Sequence, residues 1–178
     1  LLAGKFDAIF ASMSATDERR KVIDFSEKYY NTPPAIAAAK DSDIKGVTPE
    51  DLAGKTVGAQ VSTMHADYVE KVLTESELKS YPTADEYKLD LANGRLDAAN
   101  DDIVVLSEWL KTDAGACCKI AGTIKPIREI HGPGVGAGVR KEDTDLRDMF
   151  SAAIKAIRAN GKYEAINKKY FDFDVYGG

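Results

Sequence analysis

The stretch that decides the fold is SMSATDER, residues 12–19. It follows the apolar run FDAIFA at residues 6–11, which has the length of a buried strand. Short hydroxyl side chains, main-chain amides and Arg19 therefore lie just beyond the end of a predicted strand. Amides and hydroxyls can donate to a carboxylate from one side while a planar guanidinium binds it from the other. A capped helix start, with Thr16 or Ser14 as the N-cap, explains the same residues equally well.

An internal repeat favours the ligand-binding interpretation. LLAGKFDA at residues 1–8 recurs as LANGRLDA at residues 91–98, and each copy predicts a helix end, a glycine, a basic residue and a strand that starts at the aspartate. The second copy leads to NDD at residues 100–102, so equivalent strands end at a serine/arginine corner and at an aspartate corner. In open α/β sheets, ligands bind beyond the carboxyl ends of the strands. An arginine for a carboxylate and an aspartate for an ammonium predict a receptor for an amino acid.

Composition argues against other classes of protein. The chain has 178 residues, of which 44% are hydrophobic and 30% charged, with a formal net charge of −5. These values fit an ordinary globular protein and give no support for nucleic-acid binding. No apolar run approaches the length of a membrane span, so we expect a protein that is not itself membrane-spanning. Adjacent Cys117 and Cys118 cannot close an ordinary disulfide loop, and they leave the redox compartment open.

Catalytic and metal-binding chemistry lack suitable residues. There is no Gly-x-Ser-x-Gly turn, and neither His65 nor His131 has the spacing of a triad partner. Two isolated histidines and two adjacent cysteines do not give tetrahedral metal spacing. The glycine-rich HGPGVGAGV at residues 131–139 lacks the Lys-Ser/Thr ending of a phosphate loop. We therefore expect no catalytic residue, no metal site and no cofactor.

The order of the predicted elements indicates two lobes. Consecutive prolines at residues 33–34 require an extended chain, and the glycine-rich segment permits a return crossing. Between them lie strands and helices in alternation, beginning with a strand-like run at residues 35–39 and a short predicted helix over residues 48–54. We predict an α/β fold in which lobe I comprises residues 1–32 and 132–178 and lobe II comprises residues 33–131.

A second candidate carboxylate site lies in the predicted lobe II. A strand over residues 55–60 leads through the hydroxyl-rich turn STMH, residues 62–65, into a helix over residues 66–73. The amides and the positive end of such a helix face outward from the strand tip and can receive an anion. A capped helix start would by itself also explain Ser62 and Thr63.

These motifs resemble those of the periplasmic solute-binding proteins for polar and basic amino acids. The resemblance is carried by GKFDA at residues 4–8, SATDER at 14–19, DFS at 24–26, GKTVG at 54–58, GRLDA at 94–98 and KKYFD at 168–172. It covers the whole chain and is strongest to the lysine/arginine/ornithine binders and the octopine/nopaline (opine) binders. It implies a type II fold with two crossing strands as the hinge. It also leads us to expect that an N-terminal part of lobe I is absent from this sequence.

Individual residues have expected roles in binding. The predicted ligand contacts are Ser12, Ser14, Arg19, Gln60, Thr63, Met64, His65 and Asp102. Arg19 holds the α-carboxylate with help from the serines and from amides near Met64, and Asp102 holds the α-ammonium. The resemblance alone implies that Gln60 lines the cleft. Lysine/arginine/ornithine binders carry a hydroxyl where this chain has Met64, which keeps opine ligands open.

The resemblance implies a transport function. We expect a periplasmic, monomeric receptor that captures a polar or cationic amino acid or an arginine-derived opine and delivers it to the membrane subunits of an ABC permease. The alternative is an enzyme on the same fold, similar to the cyclohexadienyl dehydratase-like lyases. A lyase needs a positioned acid or base, and the sequence offers none beyond the recognition residues. We therefore expect a protein that is not an enzyme.

Overall fold

The computed structural model describes residues 1–177 and has a mixed α/β architecture. The helices are α1 (Asp17–Arg20), α2 (Met64–Lys71), α3 (Ala84–Ala92), α4 (Ile103–Leu110), α5 (Arg128–His131), α6 (Thr144–Ala159) and α7 (Lys162–Tyr170). The strands are β1 (Asp24–Tyr30), β2 (Pro34–Ala39), β3 (Thr56–Gln60), β4 (Glu77–Tyr81), β5 (Ala98–Asp102), β6 (Cys118–Thr123) and β7 (Val135–Val139). A 3-10 turn, Asp113–Gly115, precedes β6.

The chain divides into two compact units. Unit 1 consists of Leu1–Thr32 together with the chain from Ile127 onward, and unit 2 is the continuous segment Pro33–Pro126. Helix α5 therefore belongs to unit 1. The predicted lobes, divided between residues 131 and 132, stay a prediction.

Unit 2 is built on a five-stranded mixed sheet. The strand order is β4-β3-β5-β2-β6, with β3 parallel to both β4 and β5 and with β2 antiparallel to both β5 and β6. The PAIAAA sequence of β2 is buried over Pro34 to Ala38 because this strand lies inside the sheet. Tyr87 and Leu91 of α3 and Leu106 of α4 pack against the sheet in its main hydrophobic core.

The topology of unit 2 brings two connections to one edge of its sheet. Parallel β3 and β5 have their carboxyl ends at the same edge. The turn from β3 into α2 therefore lies beside the junction of β5 with α4. This is the edge at which open α/β sheets bind ligands.

Unit 1 contains a two-stranded antiparallel ribbon of β1 and β7, with α6 packed against both strands. The chain that leads into β7 passes close to the 12–19 stretch. A Cβ atom at Gly132 would lie 3.2 Å from the carbonyl oxygen of Ala15, and the φ of Gly132 is +71°. Both the close approach and the left-handed backbone therefore require glycine at this position.

The predicted strand over residues 6–11 is wrong. Ile9 forms an isolated bridge with Gly138, through hydrogen bonds of 2.9 and 3.0 Å, and no continuous strand follows. Phe6 and Phe10 are 50% and 56% exposed. A strand needs a backbone partner along its length, and in this run the backbone pairs at Ile9 alone, although the Phe10 ring packs against Tyr29 and Phe150.

The predicted helix over residues 48–54 is also wrong, since this segment forms turns. Thr48 and Asp51 form a reciprocal pair of capping hydrogen bonds: Asp51 Oδ2 accepts from the Thr48 amide at 3.0 Å, and Thr48 Oγ1 accepts from the Asp51 amide at 3.3 Å. Gly54, with φ of +72°, stops the segment as a helix-ending glycine does. The segment closes one helical turn, with a hydrogen bond from the Leu52 amide to the Thr48 carbonyl oxygen at 3.3 Å, and a first turn is unfavourable unless further bonds follow it.

Candidate functional site

The predicted carboxylate anchor in unit 1 lies on the short helix α1. Thr16 is the N-cap, and its Oγ1 accepts a hydrogen bond from the Arg19 amide at 3.3 Å. The Arg19 side chain turns back, and Nη1 donates to the carbonyl oxygen of buried Ser14 at 3.0 Å. The capped helix start and the arginine corner are thus the same structure. The structure brings Arg19 and Ser14 together.

Ser12 begins this corner in an unusual backbone conformation. Its φ is 54°, its side chain is exposed, and its amide donates to the Tyr29 hydroxyl at 3.3 Å. Within residues 1–177 the other non-glycine residue with positive φ is Ser62, at 61°. Ser62 directly precedes the N-cap of α2. Each of the two hydroxyl-rich turns that were predicted to bind a carboxylate therefore contains a serine with a strained backbone. Such strained residues cluster at functional sites.

The turn before α2 is built around Thr63. Its Oγ1 donates to the carbonyl oxygen of Gln60 at 2.7 Å and accepts from the Ala66 amide at 3.3 Å. Met64 is the first residue of the helix, so its amide belongs to the end that carries positive partial charge. The Gln60 side chain donates to the carbonyl oxygen of Pro82 at 3.2 Å.

The aspartate corner lies inside strand β5, and not beyond it as predicted. The strand was predicted to end where residues 100–102 begin, but it continues to Asp102, which pairs with Pro34 of β2. Asn100, Asp101 and Asp102 are all buried. Acidic residues are depleted in strands, and these are tolerated because their side chains are hydrogen-bonded.

Asp102 joins the end of β5 to the start of α4. It is the N-cap of α4, and its Oδ1 accepts a hydrogen bond from the Val104 amide at 2.8 Å. The residue is 7% exposed. A buried carboxylate held at a helix start can accept a charge-assisted hydrogen bond from an ammonium group.

The neighbouring carboxylate, Asp101, is surrounded by donors. The Tyr87 hydroxyl of α3 donates to its Oδ2, and the Asp102 amide donates to its Oδ1 at 2.7 Å. Nε2 of buried His65 lies 3.3 Å from the same Oδ1. Asn100 Nδ2 donates to the carbonyl oxygen of His65 at 3.0 Å, so β5 holds the first turn of α2 at two points.

Tyr87 is the residue of this edge that the sequence reasoning missed. Burial, together with the negative charge of Asp101, raises the pKa of the Tyr87 hydroxyl well above its ordinary value, so it stays protonated and donates. The signal that the sequence offers for Tyr87 is the helical spacing of the apolar residues around it. That spacing predicts a core residue and gives no sign of the carboxylate partner.

The predicted contacts fall into two groups, one in each unit. Ser12, Ser14 and Arg19 lie in unit 1, whereas Gln60, Thr63, Met64, His65 and Asp102 lie in unit 2. Across residues 1–177 no cluster of three or more His, Cys, Asp or Glu side chains is arranged to hold a metal ion. No helix in that same range is long and apolar enough to cross a membrane.

Known proteins that this chain resembles are named as amino-acid-binding proteins. The L-arginine-binding protein of Pseudomonas aeruginosa is 43% identical over 176 residues, covering 97% of this chain and 68% of that protein. The histidine-binding periplasmic protein of Escherichia coli is 41% identical, covering 100% of this chain and 69% of that protein. The solved structure of an ancestral arginine-binding protein bound to arginine has a TM-score of 0.84 and 32% identity, covering 95% of this chain and 73% of that one.

These likenesses confirm the predicted α/β fold of type II periplasmic binding proteins and the resemblance to amino-acid solute-binding proteins. The family model for bacterial extracellular solute-binding proteins, family 3, matches residues 1–173. This is a family of binding proteins and not of enzymes, which removes the lyase alternative. The chain therefore belongs to the bacterial extracellular solute-binding proteins of family 3.

Proposed function

We propose that this protein is a receptor for an amino acid with a cationic side chain, and that L-arginine is its first candidate ligand. The observation that carries the proposal is the buried Asp102 carboxylate at the carboxyl end of β5, beside the N-terminus of α2. A carboxylate next to a helix start matches the two charges of an amino-acid backbone. The named relatives that bind arginine, histidine, or lysine, arginine and ornithine support the ligand class.

The ligand's α-carboxylate binds Arg19, whose guanidinium is oriented by the carbonyl oxygen of Ser14. The Ser12 and Ser14 hydroxyls and the amide of Met64 assist. The α-ammonium binds the Asp102 carboxylate. Each of these contacts joins a charged ligand group to a charged or dipolar protein group, which makes it stronger than a neutral hydrogen bond.

Membership of the family supports a wider transport role. The receptor works outside the cytoplasm, in the periplasm, as a monomer, and it delivers its ligand to the membrane subunits of an ABC permease. The relatives whose names place them in the periplasm support this location. A test is to copurify the tagged receptor with solubilised permease subunits in the presence and absence of ligand.

The ligand is tested by a thermal-shift panel followed by calorimetry. The panel contains arginine, lysine, ornithine, histidine, octopine, nopaline, glutamate and glutamine. A ligand present at about 100 times its Kd stabilises the folded protein by about 2.7 kcal/mol, which gives a measurable rise in Tm. Stabilisation by glutamate or glutamine alone would contradict the cationic class. Stabilisation by octopine or nopaline but not by arginine would move the assignment to opines.

Two arginine analogues test recognition of the amino-acid backbone. Agmatine lacks the carboxylate, and argininic acid carries a hydroxyl in place of the ammonium. Each should bind at least tenfold more weakly than arginine, since each leaves one charged group of the receptor, half-buried Arg19 or buried Asp102, without its ligand partner. Equal affinity for agmatine and arginine would show that the carboxylate is not recognised.

A further inference from the structure

The adjacent Cys117 and Cys118 have no part in the proposed binding function. Both are free thiols, and their Sγ atoms lie 2.8 Å apart. Consecutive side chains of a regular strand point to opposite faces. Here Cys118 is the first residue of β6 and Cys117 lies just before it, which lets the two sulfur atoms turn toward each other.

The surrounding chain fixes the backbone of both residues. The carbonyl oxygen of Cys117 accepts a hydrogen bond from the Lys40 amide at 3.0 Å, and Cys118 pairs with Ala39 of β2. Cys117 Sγ lies 3.7 Å from the carbonyl oxygen of Ala114. The convergence of the two sulfur atoms therefore belongs to an ordered junction between the 3-10 turn and β6.

The two thiols differ in access to solvent. Cys117 is exposed, whereas Cys118 is 3% exposed. Burial and the neighbouring Cys117 thiol raise the pKa of Cys118 to about 12. Since the thiolate is the nucleophile, the first reaction with an oxidant in solution occurs at Cys117.

We propose that Cys117 and Cys118 form a dithiol site that a disulfide oxidant closes reversibly into a ring. The Cys117 thiolate attacks one sulfur of the oxidant RSSR, which forms a mixed disulfide and releases one thiolate that takes up a proton. Cys118 then gives its proton to solvent and attacks Cys117 Sγ, so the S–S bond to R breaks and the second RS⁻ leaves and is protonated. In total the two cysteines lose two hydrogens, and RSSR is reduced to two RSH.

The ring should be easy to reopen. Neighbouring Cα atoms are about 3.8 Å apart, whereas bridged cysteines usually have theirs about 4.4–6.8 Å apart. A bridge between neighbours is therefore strained, and strained disulfides are the reducible ones. This predicts a site that follows the thiol/disulfide balance around the protein instead of a permanent structural crosslink.

To test ring closure, the reduced protein is treated with oxidised glutathione under anaerobic conditions. Samples are quenched in acid and then unfolded in guanidinium with iodoacetamide, which alkylates the remaining free thiols. The mass of the intact protein is measured by mass spectrometry. The oxidised wild type should carry no glutathione and no alkyl group, and should regain two alkylatable thiols after mild dithiothreitol treatment. The matched variant Cys118→Ser cannot close the ring and should retain one glutathione on Cys117.

Several outcomes would overturn the proposal. The oxidised wild type could retain a glutathione on Cys117, form disulfide-linked dimers, or still be alkylated at both thiols. Each of these results contradicts the proposal. Phenylarsine oxide gives an independent check, because its trivalent arsenic bridges two converging thiols. One arsenic should be retained by the reduced wild type and none by Cys117→Ser, which changes only an exposed side chain. Retention by that variant would contradict a two-thiol site.

Discussion

The hydroxyl group of Tyr87 donates a hydrogen bond to Oδ2 of Asp101, the residue directly before the proposed ammonium acceptor. Tyr87 is fully buried in the core of unit 2. The other oxygen of Asp101 accepts from the Asp102 amide. Helix α3, which has no predicted ligand contact, therefore holds the end of β5 in place.

We expect Tyr87→Phe to lower the free energy of unfolding by about 1–3 kcal/mol, because a buried carboxylate loses a hydrogen-bond donor while the ring volume is kept. Guanidinium denaturation of unit 2 or of the whole protein measures this change. Tyr170→Phe is the matched control, since Tyr170 is exposed and should give no change. Equal stability of the wild type and Tyr87→Phe would mean that the hydroxyl contributes nothing.

Tyr87→Phe should also change how the free energy of unfolding depends on pH in alkaline solution. The pKa of Tyr87 is raised in the folded protein, so its contribution to stability is complete below the unfolded pKa of about 10. Above that pH the unfolded chain ionises while the folded protein keeps its proton, and the contribution is lost. Wild-type stability should therefore fall more steeply above about pH 10 than that of Tyr87→Phe, by about 1.4 kcal/mol per pH unit. Parallel profiles would exclude this linkage.

Two substitutions of Asp102 separate capping from binding. Asn is as good an N-cap as Asp, so Asp102→Asn should keep the bond to Val104 and nearly wild-type stability. It removes the charge, and arginine should then bind about tenfold to a hundredfold more weakly by calorimetry. Asp102→Ala should lose affinity and also about 1 kcal/mol of stability, since the cap is gone. Undiminished affinity in Asp102→Asn would place the ammonium elsewhere.

Arg19 should be the main carboxylate anchor. Arg19→Ala and Arg19→Lys should both weaken arginine binding by about two to three orders of magnitude, because a lysine cannot form the bidentate contact. Lys21→Ala, which removes a nearby exposed cation, is the control for a general loss of positive charge. Calorimetry at one salt concentration compares them. Wild-type affinity in either Arg19 variant would contradict the assignment.

Unit 1 should have its own acid sensitivity through Asp24. Burial raises the pKa of Asp24, but the Arg147 guanidinium, 2.7 Å away, acts together with the Phe25 amide and Arg20 to hold the pKa below its ordinary value. The stabilisation is present above the unfolded pKa of about 3.9 and is lost as the pH falls through the folded pKa. Asp24→Asn should therefore flatten the decline in stability below about pH 4. Asp172→Asn, at an exposed carboxylate, should leave it unchanged.

Signals that act within a few residues were readable from the sequence. Thr63 caps α2, and the Thr-x-x-Glu spacing of Thr83 and Glu86 forms a capping box at the start of α3. The repeat was also informative, because Gly4 and Gly94 adopt nearly the same left-handed backbone, with φ of 69° and 68°. Each of these features depends on the local chain alone, since a cap or a glycine turn is decided by its own neighbours.

Features that depend on distant partners were not readable. The extension of β5 to Asp102 depends on its pairing with β2, far away in sequence. The hydrogen bond from Tyr87 that makes a buried Asp101 tolerable joins a helix to a strand. The predicted strand over residues 6–11 failed in the opposite sense, since its backbone meets a neighbouring strand at Ile9 alone. The roles of the individual binding residues stay predictions.

The arrangement of the units along the chain has a consequence for how the protein is made. Strands β1 and β7 pair with each other, yet all of unit 2 is synthesised between them. The two ends of unit 2 are joined, because the Ile124 amide donates to the carbonyl oxygen of Pro34 at 2.8 Å. Once unit 2 has folded during translation, the segment that separates β1 from β7 behaves as a short loop, and the entropy lost on closing the ribbon becomes small. We therefore expect folding of unit 2 to make the pairing of β1 with β7 easier.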